Sequence, residues 1–243
     1  MEKITRRGFV PEDEKQFKGE SLEKLKKAAK EVQYLLDQGY PVKPLTTFVG
    51  NHYMFSERQR LALARSVSPT ESIRHRKDGI LTKDQLTGDE HTVNIDGFNT
   101  IITLEVALSG SPVFLCGDGT IRDLAGLRGT YRIIDKTERA VRLLLEKLVD
   151  YRIRKACFYL DAPVSNSGRL SSLISDCAMD YQIEVECKVI NDVDSVLEES
   201  NHVISTDAII LNNCDSWINL LPEIIKEIDG VWMIQLQDKF NGV

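Results

Sequence analysis

Aspartates stand at the ends of several apolar segments in this sequence. Asp96 closes TVNID, Asp161 closes KACFYLD and Asp207 follows HVIST. Asp118 and Asp192 each come two residues after another such segment. One aspartate in such a position is most simply a helix cap or a turn residue. Five on one sheet edge would repel one another unless a cation offset their charge, and this pattern therefore predicts a divalent metal site.

The donor atoms of this group are all oxygens. Such a set favours Mg²⁺ or Mn²⁺ over zinc, and these ions position and activate a water molecule for attack on a phosphodiester. Glu105 is the single charge in the apolar stretch NTIITLEVALSG, and we take it as a further candidate ligand. The predicted metal ligands are Asp96, Glu105, Asp118, Asp161 and Asp207.

The segments that carry these residues predict an α/β fold over residues 91–243. Short apolar segments rich in β-branched residues are typical of buried strands, and here they are TVNID, PVFLC, KACFYLD, IEVECKVI, HVISTD and VWMIQLQ. Helix-like patterns lie between them, and such alternation favours a mostly parallel sheet flanked by helices. Ligands bind at the carboxyl ends of strands in such sheets.

Residues 1–90 differ from the rest in charge and pattern. They hold 17 Lys and Arg against 14 Asp and Glu, whereas residues 91–243 hold 14 against 23. Apolar residues recur at helical spacing in SLEKLKKAAKEVQYLLDQGY, with Ser21 as the expected N-cap and Gly39 as the end. Ser56 and Pro69 bound a second predicted helix, and the proline-containing segment between the two helices is expected to be a loop. We predict a smaller, mainly helical N-terminal region with a boundary near residue 90.

Two groups of residues are candidates for binding a phosphate backbone. Arginine presents a rigid fork of donors to phosphate oxygens, which suits Arg58, Arg60 and Arg65 in the second helix. The alternative for these arginines is a solvated helix face. The other group lies in loops of the α/β region. Its cations and a helix N-terminus would bind phosphate beside the acidic edge of the sheet. The alternative is that these residues only form ion pairs within the protein and cap a helix. That group consists of Arg122, Arg128, Ser165, Asn166 and Ser167.

Other functional classes lack their motifs here. The five cysteines form no C-x-x-C pair, so zinc and redox dithiol sites are not indicated. Neither a P-loop nor a G-x-G-x-x-G motif after the first strand is present. No stretch reaches the roughly 20 apolar residues of a membrane span, and no apolar segment follows the first basic residues, so we expect a cytoplasmic protein.

Three motifs resemble those of the PIN and NYN nuclease superfamily. IDGFNT is similar to its opening strand, YLDAP to its intermediate acidic strand, and STDAIIL to its late motif, together within residues 91 to about 236. The resemblance implies a metal-site group of Asp96, Asn99, Asp161 and Asp207, with Asp118 beside it. The whole chain also resembles an uncharacterised prokaryotic family in which a basic helical part precedes such a domain.

The sequence thus predicts a Mg²⁺- or Mn²⁺-dependent ribonuclease that holds RNA partly through its N-terminal region. The alternative is a non-catalytic RNA- or nucleotide-binding protein on the same fold. A phosphatase of haloacid dehalogenase type is disfavoured because Phe98 stands where the second aspartate would be. Whether the chain forms a homo-oligomer stays open.

Overall fold

The N-terminal region is helical in the computed structural model, which describes residues 5–86, 92–126 and 129–237. Its first long helix buries a stripe of apolar residues at helical spacing, among them Leu25, Ala29 and Val32. A capping box at Ser56 and Gln59 starts a later helix, as the sequence predicts. A 3₁₀ turn follows at Lys83–Leu86. The helices are α1 (Asp13–Gln16), α2 (Gly19–Asp37), α3 (Val42–His52), α4 (Glu57–Ser66) and α5 (Thr70–Asp78).

Two predictions for this region were wrong. The segment expected to be a loop forms α3, because Pro41 takes the N-cap position and Pro44 lies in the first turn, where a proline removes no intrahelical hydrogen bond. The helix expected to begin after Ser21 begins at Gly19 instead, with Lys18 as its N-cap.

The α/β region contains seven strands and six helices within the described residues. The strands are β1 (Thr92–Asp96), β2 (Val113–Leu115), β3 (Ile121–Asp123), β4 (Lys155–Asp161), β5 (Glu184–Ile190), β6 (Val203–Ile204) and β7 (Met233–Gln235). The helices are α6 (Gly97–Leu108), α7 (Thr137–Asp150), α8 (Ser167–Ala178), α9 (Val193–Glu198), α10 (Ala208–Asn213) and α11 (Leu221–Lys226). The fold is α/β with a mostly parallel sheet flanked by helices.

The strands form two sheets rather than one. The larger has the order β5-β4-β1-β6 with every pair parallel, so the carboxyl ends of β1, β4 and β6 lie on one edge. The smaller has the order β3-β2-β7, with β2 antiparallel to β3 and parallel to β7. Because β2 belongs to the smaller sheet, the expectation that Asp118 joins the edge of the larger one was wrong.

The larger sheet packs in the main apolar core, and the smaller sheet contributes both to that core and to a second one. The larger sheet forms the main core with α6 and α7, around residues such as Ile95, Leu104 and Phe158. The smaller sheet contributes Phe114 and Ile234 to a second core with the N-terminal helices. Since α4 packs on β2, the N-terminal region reaches the neighbourhood of the strand ends. No helix in the described ranges is both long and apolar enough to cross a membrane.

Candidate functional site

Asp96 lies where β1 passes directly into α6. Its Oδ1 accepts a hydrogen bond from the backbone N–H of Asn99 at 3.3 Å, which makes it the N-cap of the helix. Its Oδ2 accepts a hydrogen bond from the Ser205 hydroxyl at 2.8 Å. Burial and, to a smaller extent, the nearby charge of Asp207 raise the pKa of Asp96 to about 7, against the opposing effect of the Ser205 hydrogen bond. The position thus holds a carboxyl group that is costly to ionise without a cation.

Asp207 occupies the matching position after β6. Its Oδ1 accepts a hydrogen bond from the backbone N–H of Ile209 at 2.7 Å and caps α10. Its own N–H donates to the Ser205 hydroxyl oxygen at 3.0 Å, so Ser205 contacts both aspartates. The side-chain oxygen of Asn99 accepts a hydrogen bond from the Thr206 hydroxyl. These contacts fix the ends of β1 and β6 relative to each other.

Asp161 and Asp194 line the same space. Asp161 ends β4, and Asp194 lies in the first turn of α9. Burial raises the pKa of each, with a smaller contribution from the charge of Asp192 at Asp161 and from Asp207 and Asp161 at Asp194. The sequence analysis missed Asp194, although the D-x-D spacing after the β5 segment placed it only two residues beyond Asp192.

These four aspartates line one cleft with a volume of about 580 Å³, which we call the acidic cleft. The part of its wall formed by α4 and β3 carries two cations, Arg65 and Arg122, together with a further carboxylate, Asp123. The remaining residues that line the acidic cleft are Val42, Ala64, Phe98, Asn99, Ile102, Asp123, Ala125, Thr206, Ala208 and Ile209. The acidic cleft thus combines aspartate carboxylates with two guanidinium groups, each of which also has a carboxylate partner.

The two arginines are held by the smaller sheet. Arg65 donates to the Asp123 carbonyl oxygen at 2.7 Å, and Arg122 donates through Nη1 to the Arg65 carbonyl oxygen at 2.7 Å. The Arg122 side chain is only 9% exposed, and its Nε is buried with no hydrogen-bond partner among the described residues. A buried donor of this kind is costly unless a ligand satisfies it.

Asp118 lies behind this wall rather than in the acidic cleft. Its carboxylate pairs with Arg76 at 2.8 Å and with Arg122 at 3.3 Å, and it accepts hydrogen bonds from the hydroxyl and backbone N–H of Thr120. Burial acts to raise its pKa, but Arg122 and Arg76 outweigh that effect and the pKa is lowered. Asp118 is therefore a counterion that positions Arg122, and it does not lie with the other predicted metal ligands.

Glu105 is also separated from the other predicted ligands. Its fully buried carboxylate accepts hydrogen bonds from Tyr131 at 2.9 Å and from Thr137, and it forms an ion pair with Arg7. Burial raises its pKa, while Arg7 and the hydroxyl donors oppose that rise. The charge in the apolar stretch thus ties the N-terminal segment to α6.

The arginines predicted to bind phosphate do not form one surface. Arg58 is engaged with the carboxylate of Asp13 and the carbonyl oxygen of Gly8. Arg60 donates to the carbonyl oxygens of Phe55 and Thr47, both at 2.9 Å, and so links α3 to α4. Of the three, Arg65 alone lines the acidic cleft within the described structure.

The loop before α8 forms hydrogen bonds to the loop at Tyr131 and does not present an open anion site. Ser165 accepts a hydrogen bond from the Tyr131 N–H at 3.1 Å, and Asn166 donates to the Tyr131 carbonyl oxygen at 2.7 Å. Ser167 is buried at the start of α8. Arg128, the remaining predicted phosphate contact, lies outside the described residues.

The acidic cleft has the donor atoms of a divalent-ion site but not the close spacing of one. Its donors are carboxylate oxygens, with Asn99 beside them, which is the chemistry that Mg²⁺ and Mn²⁺ select. The spacing is wider than an ion needs, because no three His, Cys, Asp or Glu side chains among residues 5–86, 92–126 and 129–237 are grouped closely enough to hold a metal. The donor set fits, and binding requires the carboxylates to draw together around the ion.

The fold and site together define an α/β protein with an acidic cleft at the carboxyl ends of its parallel strands. Residues 84–223 match the family described as "Domain of unknown function (DUF5616)", and residues 24–78 match "Protein of unknown function (DUF434)". The first match covers more than half of the chain, which therefore belongs to that family.

A curated relative supports the same assignment across both regions. "Uncharacterized protein MJ0935" of Methanocaldococcus jannaschii is 33% identical over 204 residues, which cover 83% of this chain and 97% of that protein. No solved structure matches the chain.

Proposed function

We propose that the protein is a Mg²⁺- or Mn²⁺-dependent ribonuclease whose active site is the acidic cleft. The observation that carries the proposal is that Asp96, Asp161, Asp194 and Asp207 line one cleft together with Arg65 and Arg122. Carboxylates alone would repel RNA, and arginines alone would bind it without hydrolysing it. Carboxylates and arginines together suit a phosphodiester held next to a divalent ion.

The carboxylates would hold the ion, and their neighbours would orient them. A bound ion supplies Lewis acidity and an activated water at neutral pH. Ser205 keeps Asp96 and Asp207 in register through its two hydrogen bonds, and Asn99 fixes the loop after β6 through Thr206. Asp96 is the buried member of the four, and its burial strengthens its attraction to a cation.

The arginine wall would bind the phosphate. Arg122 has a buried, unsatisfied Nε and is held from behind by Asp118, so its orientation is set before substrate arrives. Arg65 is more exposed and would contact a non-bridging phosphate oxygen at the rim. A guanidinium suits this task because its donors match phosphate oxygens in a planar fork.

Kinship with the PIN and NYN nucleases is part of this proposal. Its support lies in IDGFNT, YLDAP and STDAIIL, whose aspartates all line the acidic cleft. Asp194 extends that set from the helix after β5.

Cleavage of a mixed RNA pool tests the proposed function. We expect wild-type protein to cut RNA in Mg²⁺ or Mn²⁺ and not in EDTA, and Asp96→Asn to be at least a hundredfold slower because the amide keeps the shape and loses the charge. Asp176→Asn is the matched control, since Asp176 is exposed on α8 and does not line the acidic cleft. Equal rates for wild type and Asp96→Asn would refute the assignment.

The second candidate is a non-catalytic RNA- or nucleotide-binding protein. The wide spacing of the carboxylates favours it, because they form no metal-holding group in the described structure. In that case RNA would bind equally well with and without divalent ions and would stay intact in both conditions.

A further inference from the structure

We propose that a second pocket, next to the acidic cleft, binds a phosphate of the RNA chain that flanks the phosphodiester in the cleft. The pocket has a volume of about 400 Å³ and is lined by Arg7, Arg58 and Arg132, and we call it the arginine pocket. This inference rests on the proposed function and specifies its substrate as an RNA chain several nucleotides long, not a single nucleotide.

Both regions of the chain build the arginine pocket. Arg7 comes from the N-terminal segment and Arg58 from α4, whereas Arg132 follows β3 in the α/β region. Gly8 and Gly126 line it as well and leave room beside the guanidinium groups. A ligand here would therefore contact the N-terminal helices and the α/β region at once.

Two of the arginines are anchored from behind. Arg7 pairs with buried Glu105 and donates to the Arg132 carbonyl oxygen, while Arg58 engages buried Asp13 and the Gly8 carbonyl oxygen. These contacts with described residues use Nε and Nη2 of both side chains and leave Nη1 of each for a ligand. Anchoring reduces the conformational entropy that the side chains lose on binding.

The electrostatic balance of the pocket favours an anion. No aspartate or glutamate is among the described residues that line the arginine pocket. The carboxylates of Asp13 and Glu105, which pair with the arginines, are buried. Those carboxylates offset part of the charge of Arg7 and Arg58. Arg132 is exposed and supplies the remaining positive charge.

The arginine pocket and the acidic cleft adjoin. Ala125 lines both, directly after Asp123 and Leu124 at the end of β3. Arg65 and Arg122 occupy the wall of the acidic cleft on the side of β3. A polynucleotide can thus place one phosphate against this wall and a neighbouring phosphate in the arginine pocket. A mononucleotide cannot, because it does not have phosphates on two successive nucleotides.

Salt-dependent binding of RNA tests the arginine pocket without cleavage. Labelled RNAs of two and six nucleotides are titrated in EDTA at several salt concentrations, with wild type, Arg132→Gln and Arg152→Gln. For the longer RNA we expect Arg132→Gln to weaken binding about threefold to tenfold and to make the slope of log K against log salt shallower by about 0.7. The dinucleotide should bind wild type and Arg132→Gln with the same affinity because it does not reach the arginine pocket.

Arg152→Gln is the matched control for charge. Arg152 is exposed and precedes β4, so it lies at the opposite edge of the sheet from the strand ends. We expect its affinity and salt slope to equal those of wild type. Circular dichroism and unfolding curves establish that all three proteins are folded.

The outcomes separate this inference from the proposed function. Identical salt slopes for wild type and Arg132→Gln would overturn the arginine pocket, even if metal-dependent cleavage is present. A shallower slope without any cleavage in Mn²⁺ would support the pocket and overturn the nuclease. If poly-glutamate competes as strongly as RNA and is equally weakened by Arg132→Gln, the pocket binds acidic peptides and its assignment to RNA is overturned.

Discussion

At the scale of single residues, the aspartates of this protein divide into two kinds by their partners. Asp96 is buried beside hydroxyl and N–H donors and another carboxylate, whereas Asp118 is buried between two arginines. The first arrangement penalises the ionised carboxyl group and the second stabilises it. Opposite consequences for stability follow when each is replaced by asparagine.

Asp96→Asn should stabilise the metal-free protein by the full effect at pH 8 and by only about a third of it at pH 5. The pKa of Asp96 is raised from 3.8 to about 7 in the folded state, so its ionisation costs stability as pH rises between those two values. The full effect is on the order of 4 kcal/mol as an upper bound. Urea unfolding in EDTA at both pH values measures it, and an equal effect of the substitution at pH 5 and pH 8 would contradict the burial of an ionisable Asp96.

Asp118→Asn should destabilise the protein by about 3 to 5 kcal/mol, because it leaves Arg76 and Arg122 without their buried carboxylate. The same urea experiment with Asp176→Asn, at an exposed position, should give a change within about 0.5 kcal/mol. A small effect at Asp118 would mean that this carboxylate is not the counterion that holds Arg122.

At the scale of elements, the N-terminal segment is attached to α6 through a buried charge pair. Glu105 reaches Arg7 while Tyr131 and Thr137 satisfy its other hydrogen-bonding positions. Removing one charge leaves the other uncompensated in a buried site, and this is more costly than the net contribution of the pair.

A double-mutant cycle tests that attachment. We expect Glu105→Gln and Arg7→Gln each to lower the free energy of unfolding, and the double variant to lose less than the sum of the two by about 1 to 3 kcal/mol. Unfolding curves of the four proteins provide the measurement. Strict additivity would show that the two side chains do not interact in solution.

The local pattern of the sequence was enough to predict the elements that carry Asp96, Asp161 and Asp207. A buried strand followed at once by an aspartate and a helix is a local signal, and the structure has it after β1 and β6. Pairing between strands is not local. β2 pairs with β3 and β7, and Asp118 therefore does not lie at the edge of the larger sheet. The pairing of β2 with β7 joins segments that are far apart in the sequence, and the hydrophobic periodicity of each segment does not predict it.

The remaining differences have physical causes of the same kind. β3 has only three residues and lies in a segment rich in turn formers, so its strand pattern is too short to recognise. Asp194 was missed because it lies inside α9, one position after the helix begins, where an aspartate is common for reasons of helix stability alone. Arg60 was expected to face RNA, but an acceptor from another element, the carbonyl oxygen of Thr47 in α3, engages it.

At the scale of the whole molecule, charge is distributed so that a metal ion would stabilise the fold. Five aspartates, Asp123 included, line the acidic cleft and their carboxylates repel one another. An ion that binds only the native arrangement stabilises it by mass action, by about 2.7 kcal/mol at 100 times its Kd. We expect Mn²⁺ to raise the Tm of wild type. The combined change of Asp96, Asp161 and Asp207 to Asn should abolish that rise, and a persistent rise in this variant would place the ion elsewhere.

The position of a bound ion tests the central claim most directly. In crystals soaked with Mn²⁺, anomalous scattering locates the metal independently of any assumption about activity. We expect a peak among Asp96, Asp161, Asp194 and Asp207, with their carboxylate oxygens drawn to about 2.1 to 2.3 Å from the ion. Fully occupied Mn²⁺ elsewhere on the protein, with the acidic cleft empty at saturating metal, would contradict it.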